Sequence, residues 1–212
     1  MRLYLSSYRL GNKPEKLTGL FTGDKRVGII LNARDASTPQ DRVTGLQVQI
    51  EELNKLGIES NEVDLRNFKD SQEVRVELSN YAGVWIPGGN AFLLRRAMYD
   101  SGFDSVIGSL VGNKNFVYAG YSAGSAVTGT TMRGQELVDD AGAVGEVYGG
   151  DVIWDGLGLV SYSIAPHYKS DQPESSAIDK VVDYFIKENI PYKPLQDGQA
   201  IVVSAELEEI AG

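Results

Sequence analysis

A short apolar run followed by two closely spaced glycines constrains the fold more than any other stretch of this chain. Residues 116–130 read FVYAGYSAGSAVTGT. The first four predict a buried strand, and the small residues after Ser122 favour the start of a helix. Between them, G-Y-S-A-G fits a sharp turn with room for almost no side chain two positions before or after the serine. The pattern predicts a nucleophile elbow with an outward-facing Ser122 hydroxyl; the alternative is a glycine-rich connection with an ordinary helix-capping serine.

The rest of the chain alternates between apolar runs and helical patterns. Further strands are predicted at residues 3–7, 27–31, 58–65 and 83–86. Helices are predicted from the Thr38-Pro39 step to Gly57 and at residues 68–78, 91–99, 103–111 and 173–187. Apolar residues recur at helical spacing in the first and last of these, at Val43, Leu46, Ile50, Leu53 and Leu56 and at Ile178, Val181, Val182, Phe185 and Ile186. This alternation predicts an α/β fold of three layers, in which a mostly parallel sheet carries helices on both faces. No linker or repeat interrupts residues 1–212, so we expect a single domain.

The second half of the chain has a looser pattern. An irregular segment or a short hairpin is predicted at residues 131–154. A pair of strands follows at 158–160 and 162–165, and a terminal hairpin is formed by the strands at 192–195 and 200–203. The pair of strands leads into Pro166-His167, and the terminal hairpin contains Asp197-Gly198 as its turn element.

Polar or glycine-rich residues follow three of the predicted strands. Asn32 and Arg34 follow the run at 27–31, Gly88-Gly89-Asn90 follows the run at 83–86, and Ser122 follows the run at 116–119. Ligands bind outside the carboxyl ends of the strands in sheets of this class. We therefore expect these residues to meet at one edge, with the geometry of an active site.

A serine nucleophile needs a base and an orienting carboxylate. His167 is the only histidine, and its place at the end of an apolar strand favours a general base over a surface residue. The acidic residues after it are Asp171, Glu174, Asp179, Asp183, Glu188 and Asp197. A tight turn can hold Asp197 rigidly, but aspartate is common in such turns, and the residues alone leave the choice open.

Two backbone stretches are candidates for an oxyanion hole. The N–H of Ala123 lies at the predicted helix start, where it can stabilise negative charge. The stretch at residues 87–90 lets the backbone approach a substrate closely, because glycine has no side chain. The alternative is a glycine-rich turn without a ligand.

Composition excludes several classes of function. The formal net charge of −9 leaves no basic surplus for nucleic acid or an anionic membrane. The absence of cysteine and the single histidine exclude thiol catalysis and a multi-histidine metal centre. No EF-hand or P-loop spacing occurs, so we expect neither a metal nor a cofactor. No signal-peptide core or membrane-length apolar run is present, so we expect a cytoplasmic protein. We expect a monomer or a homodimer, and the sequence does not distinguish them.

Four stretches resemble one known family. GYSAGS, IPGGNAFLL, the strand-end Pro-His and LQDGQAIVV occur here in the order seen in the peptidase E group, the S51 serine peptidases, which include aspartyl dipeptidases and cyanophycinases. The resemblance covers the chain from residue 27 onwards. It implies an α/β sandwich similar to class I glutamine amidotransferases, with a flavodoxin-like sheet.

The resemblance also implies roles for particular residues. Ser122, His167 and Asp197 would form a catalytic triad, and the N–H groups of Gly89 and Ala123 would form the oxyanion hole. Asp197 lies in a Q-D-G turn, whereas the matching turn of aspartyl dipeptidases is P-E-G with a glutamate. The Asp197 side chain is one methylene shorter than that glutamate, so the turn must lie closer to His167.

The implied substrate is a small peptide. Asn90, beside the oxyanion hole, and the cations Arg34 and Lys169 are the expected substrate-binding residues. The segment after His167 is short. It lacks the arginine that, in aspartyl dipeptidases, is associated with recognition of the substrate aspartate. We expect a serine exopeptidase or dipeptidase, with a preference for N-terminal Asp left open. The alternatives are another serine amidase or esterase and a non-catalytic small-ligand-binding protein.

Overall fold

The structure is a computed structural model that describes residues 1–112, 115–205 and 207–212. The strands are β1 (Arg2–Ser6), β2 (Arg26–Ile29), β3 (Glu59–Glu62), β4 (Gly83–Ile86), β5 (Val117–Tyr121), β6 (Ser163–Ala165), β7 (Tyr192–Pro194), β8 (Ala200–Ser204) and β9 (Leu207–Ala211). The α-helices are α1 (Pro14–Thr18), α2 (Pro39–Lys55), α3 (Ser71–Leu78), α4 (Ala91–Asp100), α5 (Phe103–Gly112), α6 (Ala123–Ala126), α7 (Ala143–Tyr148) and α8 (Ser175–Lys187).

A central sheet positions most of the polar strand ends. Its strand order in the described residues is β3-β2-β4-β5-β1-β8-β9. The strands from β3 to β1 are parallel, whereas β8 pairs antiparallel with both of its neighbours, β1 and β9. The predicted α/β fold with a mostly parallel sheet is confirmed. Because β2, β4 and β5 are neighbours, the residues that follow them emerge side by side, as expected.

Each face of the sheet is covered by its own apolar cluster. Val84 and Ile86 of β4 pack with residues of α3, α4 and α5, while Trp85 points to the opposite face and packs with residues of α1 and α2. Side chains alternate across a strand, so burial of both faces requires the continuous apolar run seen at residues 83–86. Among the described residues, no helix is long and apolar enough to cross a membrane.

The predicted start of α2 is confirmed. Thr38 Oγ1 accepts a hydrogen bond from the Asp41 N–H, and Pro39 occupies the first helical position, where its missing N–H costs nothing. The expected apolar stripe of α2 is largely confirmed: Leu53 is buried, and Leu46, Ile50 and Leu56 pack against the same core, whereas Val43 is 61% exposed. On α8, Ile186 was also expected in the stripe but is 57% exposed.

The predicted terminal hairpin is wrong. β7 pairs in parallel with β6 in a separate two-stranded sheet, whereas β8 lies between β1 and β9 in the central sheet. The sequence pattern did not reveal β9, because only Ala211 of this edge strand is buried and the strand reads as the polar stretch LEEIA. The turn at Asp197 therefore connects two sheets.

Two further expectations in the looser part of the chain are corrected. Of the two alternatives for residues 131–154 the short hairpin is wrong, since the segment is largely irregular and contains the 3-10 turn Gln135–Leu137 and helix α7. Residues 158–160 form no strand, and the strand at Ser163–Ala165 takes its partner from β7 instead. Strand pairing depends on partners distant in sequence, which a local pattern does not identify.

Candidate active site

Ser122 is the single residue between the end of β5 and the start of α6. Its backbone has φ 51° and ψ −115°, a conformation that costs a non-glycine residue about 1–3 kcal/mol. The surrounding structure holds it there, since its N–H donates to the carbonyl oxygens of Ser6 at 3.2 Å and Ser7 at 3.1 Å. Helix α6, which starts at the next residue, is only one turn long.

The two glycines of the G-x-S-x-G pattern are required by close packing. A Cβ on Gly120 would lie 2.6 Å from the Ile86 carbonyl oxygen, and a Cβ on Gly124 would overlap the same atom. The elbow is therefore pressed against the end of β4. This crowding is the steric requirement predicted for the turn.

His167 and Asp197 are brought together by the small sheet. The N–H of Leu195 donates to the Ala165 carbonyl at 2.9 Å, and the N–H of Tyr168 donates to the Leu195 carbonyl at 2.9 Å, which continues the β6–β7 pairing past its ends. His167 Nδ1 lies 2.8 Å from Asp197 Oδ1. A carboxylate accepts hydrogen bonds, so this contact places the proton on Nδ1 and leaves the Nε2 lone pair available.

Ser7 links the histidine to the aspartate, although no sequence motif marks it. Its side chain is fully buried, and its Oγ accepts a hydrogen bond from the His167 N–H at 2.8 Å. The same Oγ lies 2.8 Å from Asp197 Oδ1 and 3.2 Å from the Leu195 carbonyl oxygen, either of which can accept its proton. The only available sequence signal is its place just after β1, a strand that becomes a neighbour of β5 only in the fold.

Most of the predicted site residues line one cavity of about 570 Å³. Its lining includes Ser122, His167, Gly89, Ala123 and Arg34. Within the described residues, no hydrogen bond joins Ser122 Oγ to the imidazole; such bonds are often long in unliganded enzymes and tighten when substrate binds.

The loop after β4 lies against the serine side chain. A Cβ built on Gly88 would be 3.3 Å from Ser122 Oγ. In the part of the chain that the structure describes, the N–H groups of Gly89 and Ala123 donate to no other protein group, whereas the N–H of Asn90 donates to the Ala33 carbonyl at 2.8 Å. Two unpaired donors beside a serine hydroxyl have the composition of an oxyanion hole.

Of the predicted substrate-binding residues, Arg34 lines the cavity and the other two do not. Arg34 Nε donates to the Gly88 carbonyl at 3.0 Å, and its guanidinium forms no ion pair among the described residues. Asn90 caps α4, with Oδ1 accepting from the N–H groups of Phe92 and Leu93. The Lys169 ammonium lies 5.0 Å from the centre of the Tyr168 ring, outside the cavity lining.

Asn32, another expected strand-end residue, is used for structure. Its amide donates to Asp35 at 2.7 Å and to Asp64 at 3.0 Å, and its Oδ1 accepts from the Leu65 N–H at 3.1 Å. Burial alone would raise the pKa of Asp64, but hydrogen bonds from Arg66 and Asn32 outweigh it and lower that pKa to about 2. This network fixes the end of β2 and leaves Asn32 no group for a substrate.

Asp139 also lines the cavity and has no counterpart among the predicted residues. Its Oδ2 accepts a hydrogen bond from the Ala91 N–H at 2.8 Å. Burial raises the pKa of its carboxyl to about 6, although the bond from Ala91 opposes this and Glu174 adds to it. It lies in the segment whose sequence showed no regular pattern, so no motif pointed to it.

Comparisons with known proteins agree with this architecture. The chain is 24% identical over 168 residues to the uncharacterized peptidase Lmo0363 of Listeria monocytogenes, covering 79% of this chain and 78% of that protein. It is 25% identical over 155 residues to peptidase E of Streptomyces coelicolor, covering 71% of this chain and 60% of that protein.

Solved structures share the fold. A crystal structure described as a "putative peptidase E protein" from Listeria monocytogenes EGD-e matches with a TM-score of 0.79 at 21% identity, covering 99% of this chain and 97% of that one. A peptidase from an acI-B1 Actinobacterium matches with a TM-score of 0.65 at 16% identity, covering 100% and 87%. The family model "Peptidase family S51" matches residues 33–210. The chain therefore belongs to peptidase family S51 and is a serine-type peptidase.

Proposed function

We propose that residues 1–212 form one domain that hydrolyses a peptide bond in small peptides as an exopeptidase or dipeptidase, through a Ser122–His167–Asp197 triad. The observation that carries the proposal is the 2.8 Å contact between His167 Nδ1 and Asp197 Oδ1, with the imidazole lining the same cavity as the strained Ser122. An oriented base beside an elbow serine is the arrangement that nucleophilic acyl transfer needs.

The proposed reaction uses each group in turn. Ser122 Oγ attacks the scissile carbonyl carbon while His167 Nε2 takes the hydroxyl proton. The N–H groups of Gly89 and Ala123 stabilise the oxyanion, and Asp197 stabilises the imidazolium that forms. His167 then gives the proton to the leaving amine, which departs and leaves an acyl-enzyme. Water, deprotonated by His167, releases the acyl group and restores Ser122.

The cavity favours a small substrate with an acidic group. A volume of about 570 Å³ suits a ligand the size of a short peptide. Arg34 supplies a guanidinium without a carboxylate partner in the described residues, and guanidinium binds carboxylate well because the two groups match in geometry. We propose that Arg34 binds a substrate carboxylate, with the side chain of an N-terminal Asp as the first candidate.

Labelling with a fluorophosphonate probe tests the mechanism. The folded protein is expected to take up one phosphonyl group on Ser122, identified by peptide mass spectrometry, and Ser122→Ala is expected to take up none. His167→Ala should label much more slowly because the hydroxyl loses its base. Folded wild-type protein that stays unlabelled at Ser122 would overturn the proposed mechanism.

A dipeptide library read by mass spectrometry tests the substrate. Asp-X dipeptides are expected to be cleaved faster than Asn-X, and Arg34→Gln should lower kcat/KM for Asp-X at least about 10-fold with little effect on Asn-X. Arg9→Gln is the matched control, because Arg9 lines the same cavity but already pairs with Glu52 at 3.0 Å. Equal cleavage of Asp-X and Asn-X would contradict the proposed preference for N-terminal Asp. Hydrolysis of esters but of no dipeptide would identify an esterase.

A further inference from the structure

We propose that Asp139 binds the α-ammonium group of the substrate and so restricts the site to peptides with a free N-terminus. The inference rests on the proposed function, since it takes Ser122 as the nucleophile and Gly89 as an oxyanion donor. It adds a subsite for a primary ammonium group, made by one carboxylate oxygen in the cavity wall.

The position of Asp139 relative to the oxyanion loop supports this role. Its Oδ2 is 2.8 Å from the Ala91 nitrogen, and Ala91 comes two residues after Gly89, a backbone span of at most about 7 Å. In a peptide cleaved after its first residue, the α-nitrogen is two bonds from the scissile carbonyl carbon. A carbonyl oxygen bound at Gly89 therefore leaves the α-ammonium on the same side of the cavity as a carboxylate at Ala91.

Asp139 also has capacity for a new partner. Only Oδ2 has a hydrogen-bond donor in the described part of the chain, and no lysine or arginine there pairs with the carboxylate. Its second oxygen belongs to a side chain that lines the cavity, so a bound ammonium can supply the missing donor. A charge-assisted hydrogen bond of this kind is stronger than one between neutral groups.

The charges around Asp139 favour a cation over a neutral group. Glu174, which precedes α8, lines the same cavity and raises the pKa of Asp139. The other ionisable groups of the lining are Arg9, which pairs with Glu52, Arg34, Asp41, His167 and the phenols of Tyr8 and Tyr121. Asp139 is partly buried and carries a negative charge above about pH 6; a bound ammonium would compensate this charge, whereas an N-acetyl group would not.

The contact with α4 has a structural role that must be separated from binding. Asn90 caps the N–H groups of Phe92 and Leu93, and Asp139 accepts from the remaining N–H at Ala91. Asparagine at position 139 keeps an oxygen for the Ala91 N–H but removes the charge. The substitution Asp139→Asn therefore tests recognition while preserving the helix cap.

The experiment compares two substrates with the same leaving amine, a dipeptide with a free N-terminus and its N-acetyl derivative. Wild-type protein is expected to have kcat/KM at least 100-fold higher for the free dipeptide. Asp139→Asn should lower that value at least 10-fold, mainly through KM, and leave the N-acetyl rate unchanged. The matched control is Asp140→Asn, an exposed neighbour whose Oδ1 accepts only from the Gly142 N–H and which should behave as wild type.

Each other outcome overturns the inference in a recognisable way. Equal loss on both substrates would assign Asp139 to loop docking alone, and equal hydrolysis of both substrates by wild-type protein would exclude an ammonium subsite without any variant. Fluorophosphonate labelling of Ser122 is run on the same samples. If the wild type labels but shows no preference for the free amine, this inference fails and the proposed mechanism stands; if it does not label, the mechanism itself fails.

Discussion

Ser7 contacts the backbone of two members of the proposed triad and the side chain of the third. Its carbonyl accepts the Ser122 N–H at 3.1 Å, and its Oγ accepts the His167 N–H at 2.8 Å and approaches Asp197 Oδ1 to 2.8 Å. A single buried residue thus fixes three groups that are far apart in the chain. Such support holds catalytic groups within the narrow tolerance that acyl transfer requires.

Replacing Ser7 with alanine should lower both turnover and stability. The substitution leaves the buried His167 N–H without an acceptor, which costs about 1–3 kcal/mol, and it frees the Asp197 carboxylate to move. We expect kcat to fall about 10- to 100-fold with KM nearly unchanged, measured on a cleaved dipeptide. Ser6→Ala is the control, because Ser6 is equally buried but its Oγ makes only two bonds of 3.4 Å. A similar loss in both variants would show that Ser7 has no special role.

Replacing Asp197 with asparagine should keep the fold and remove most of the turnover. The amide can still contact His167 but cannot stabilise the imidazolium, and it favours the wrong tautomer; in a comparable triad the loss is about 10⁴-fold. Steady-state kinetics and circular dichroism would measure the two effects. Asp183→Asn, on the exposed face of α8, should leave activity intact. Activity near that of the wild type in Asp197→Asn would move the third role to another residue.

At the scale of elements, the elbow and the end of β4 are two loops that fit only as a pair. The Ile86 carbonyl lies against Gly120 and Gly124, and the position of Gly88 lies against the Ser122 side chain. The packing fixes the loop of the proposed oxyanion donor Gly89 relative to the serine. The two strands are neighbours in the sheet, with Ile86 opposite Gly120 in register, so the contact follows directly from strand pairing.

A methyl group on Gly124 should therefore destabilise the whole site. The new Cβ would overlap the Ile86 carbonyl, which is backbone of a central strand and has no room to move, so we expect Gly124→Ala to lose at least about 2–3 kcal/mol of unfolding free energy. Gly108→Ala in α5 is the control, because nothing lies within 4 Å of its Cβ position. That variant should gain about 0.5–1 kcal/mol from helix propensity. Urea unfolding measures both, and a tolerated Gly124→Ala would contradict the packing argument.

At the scale of the whole molecule, the carboxyl of Asp139 links stability to pH. Its pKa in the folded protein is raised by burial to about 6, above the usual value of about 3.9 for the unfolded chain. The folded state therefore binds this proton more tightly than the unfolded state does. Its contribution to the unfolding free energy is fully present below about pH 4 and is lost as pH rises through 6.

The comparison of wild type with Asp139→Asn isolates this contribution. The variant should gain stability relative to wild type between pH 4.5 and pH 7.5, by at most about 3 kcal/mol and by less to the extent that water reaches the side chain. Urea unfolding at the two pH values measures the difference. An unchanged difference would show that Asp139 titrates normally. A partly buried charge that is retained for substrate binding is a known cause of a lower free energy of unfolding.

Much of the molecule was predictable because its signals are local. The apolar runs at residues 27–31 and 83–86, the Thr38-Pro39 helix start and the G-x-S-x-G turn are short patterns whose physical causes lie within a few residues. The pairing of β6 with β7, the edge strand β9 and the docking of Asp139 on α4 depend on contacts between distant segments. No local pattern encodes those contacts, so the terminal hairpin was wrong and Ser7 was missed.

The sequence by itself determined the α/β class and the sharp turn at Ser122. It also reduced the candidate general base to one histidine and the orienting carboxylate to a few acidic residues. It did so because backbone sterics, hydrophobic periodicity and the chemistry of one serine and one histidine act locally. Only the tertiary structure decided which carboxylate reaches His167, that Asn90 and Lys169 lie outside the cavity, and that Asp139 lies in it. Those outcomes depend on distances between segments that are far apart in the chain, and strand order and loop packing set these distances.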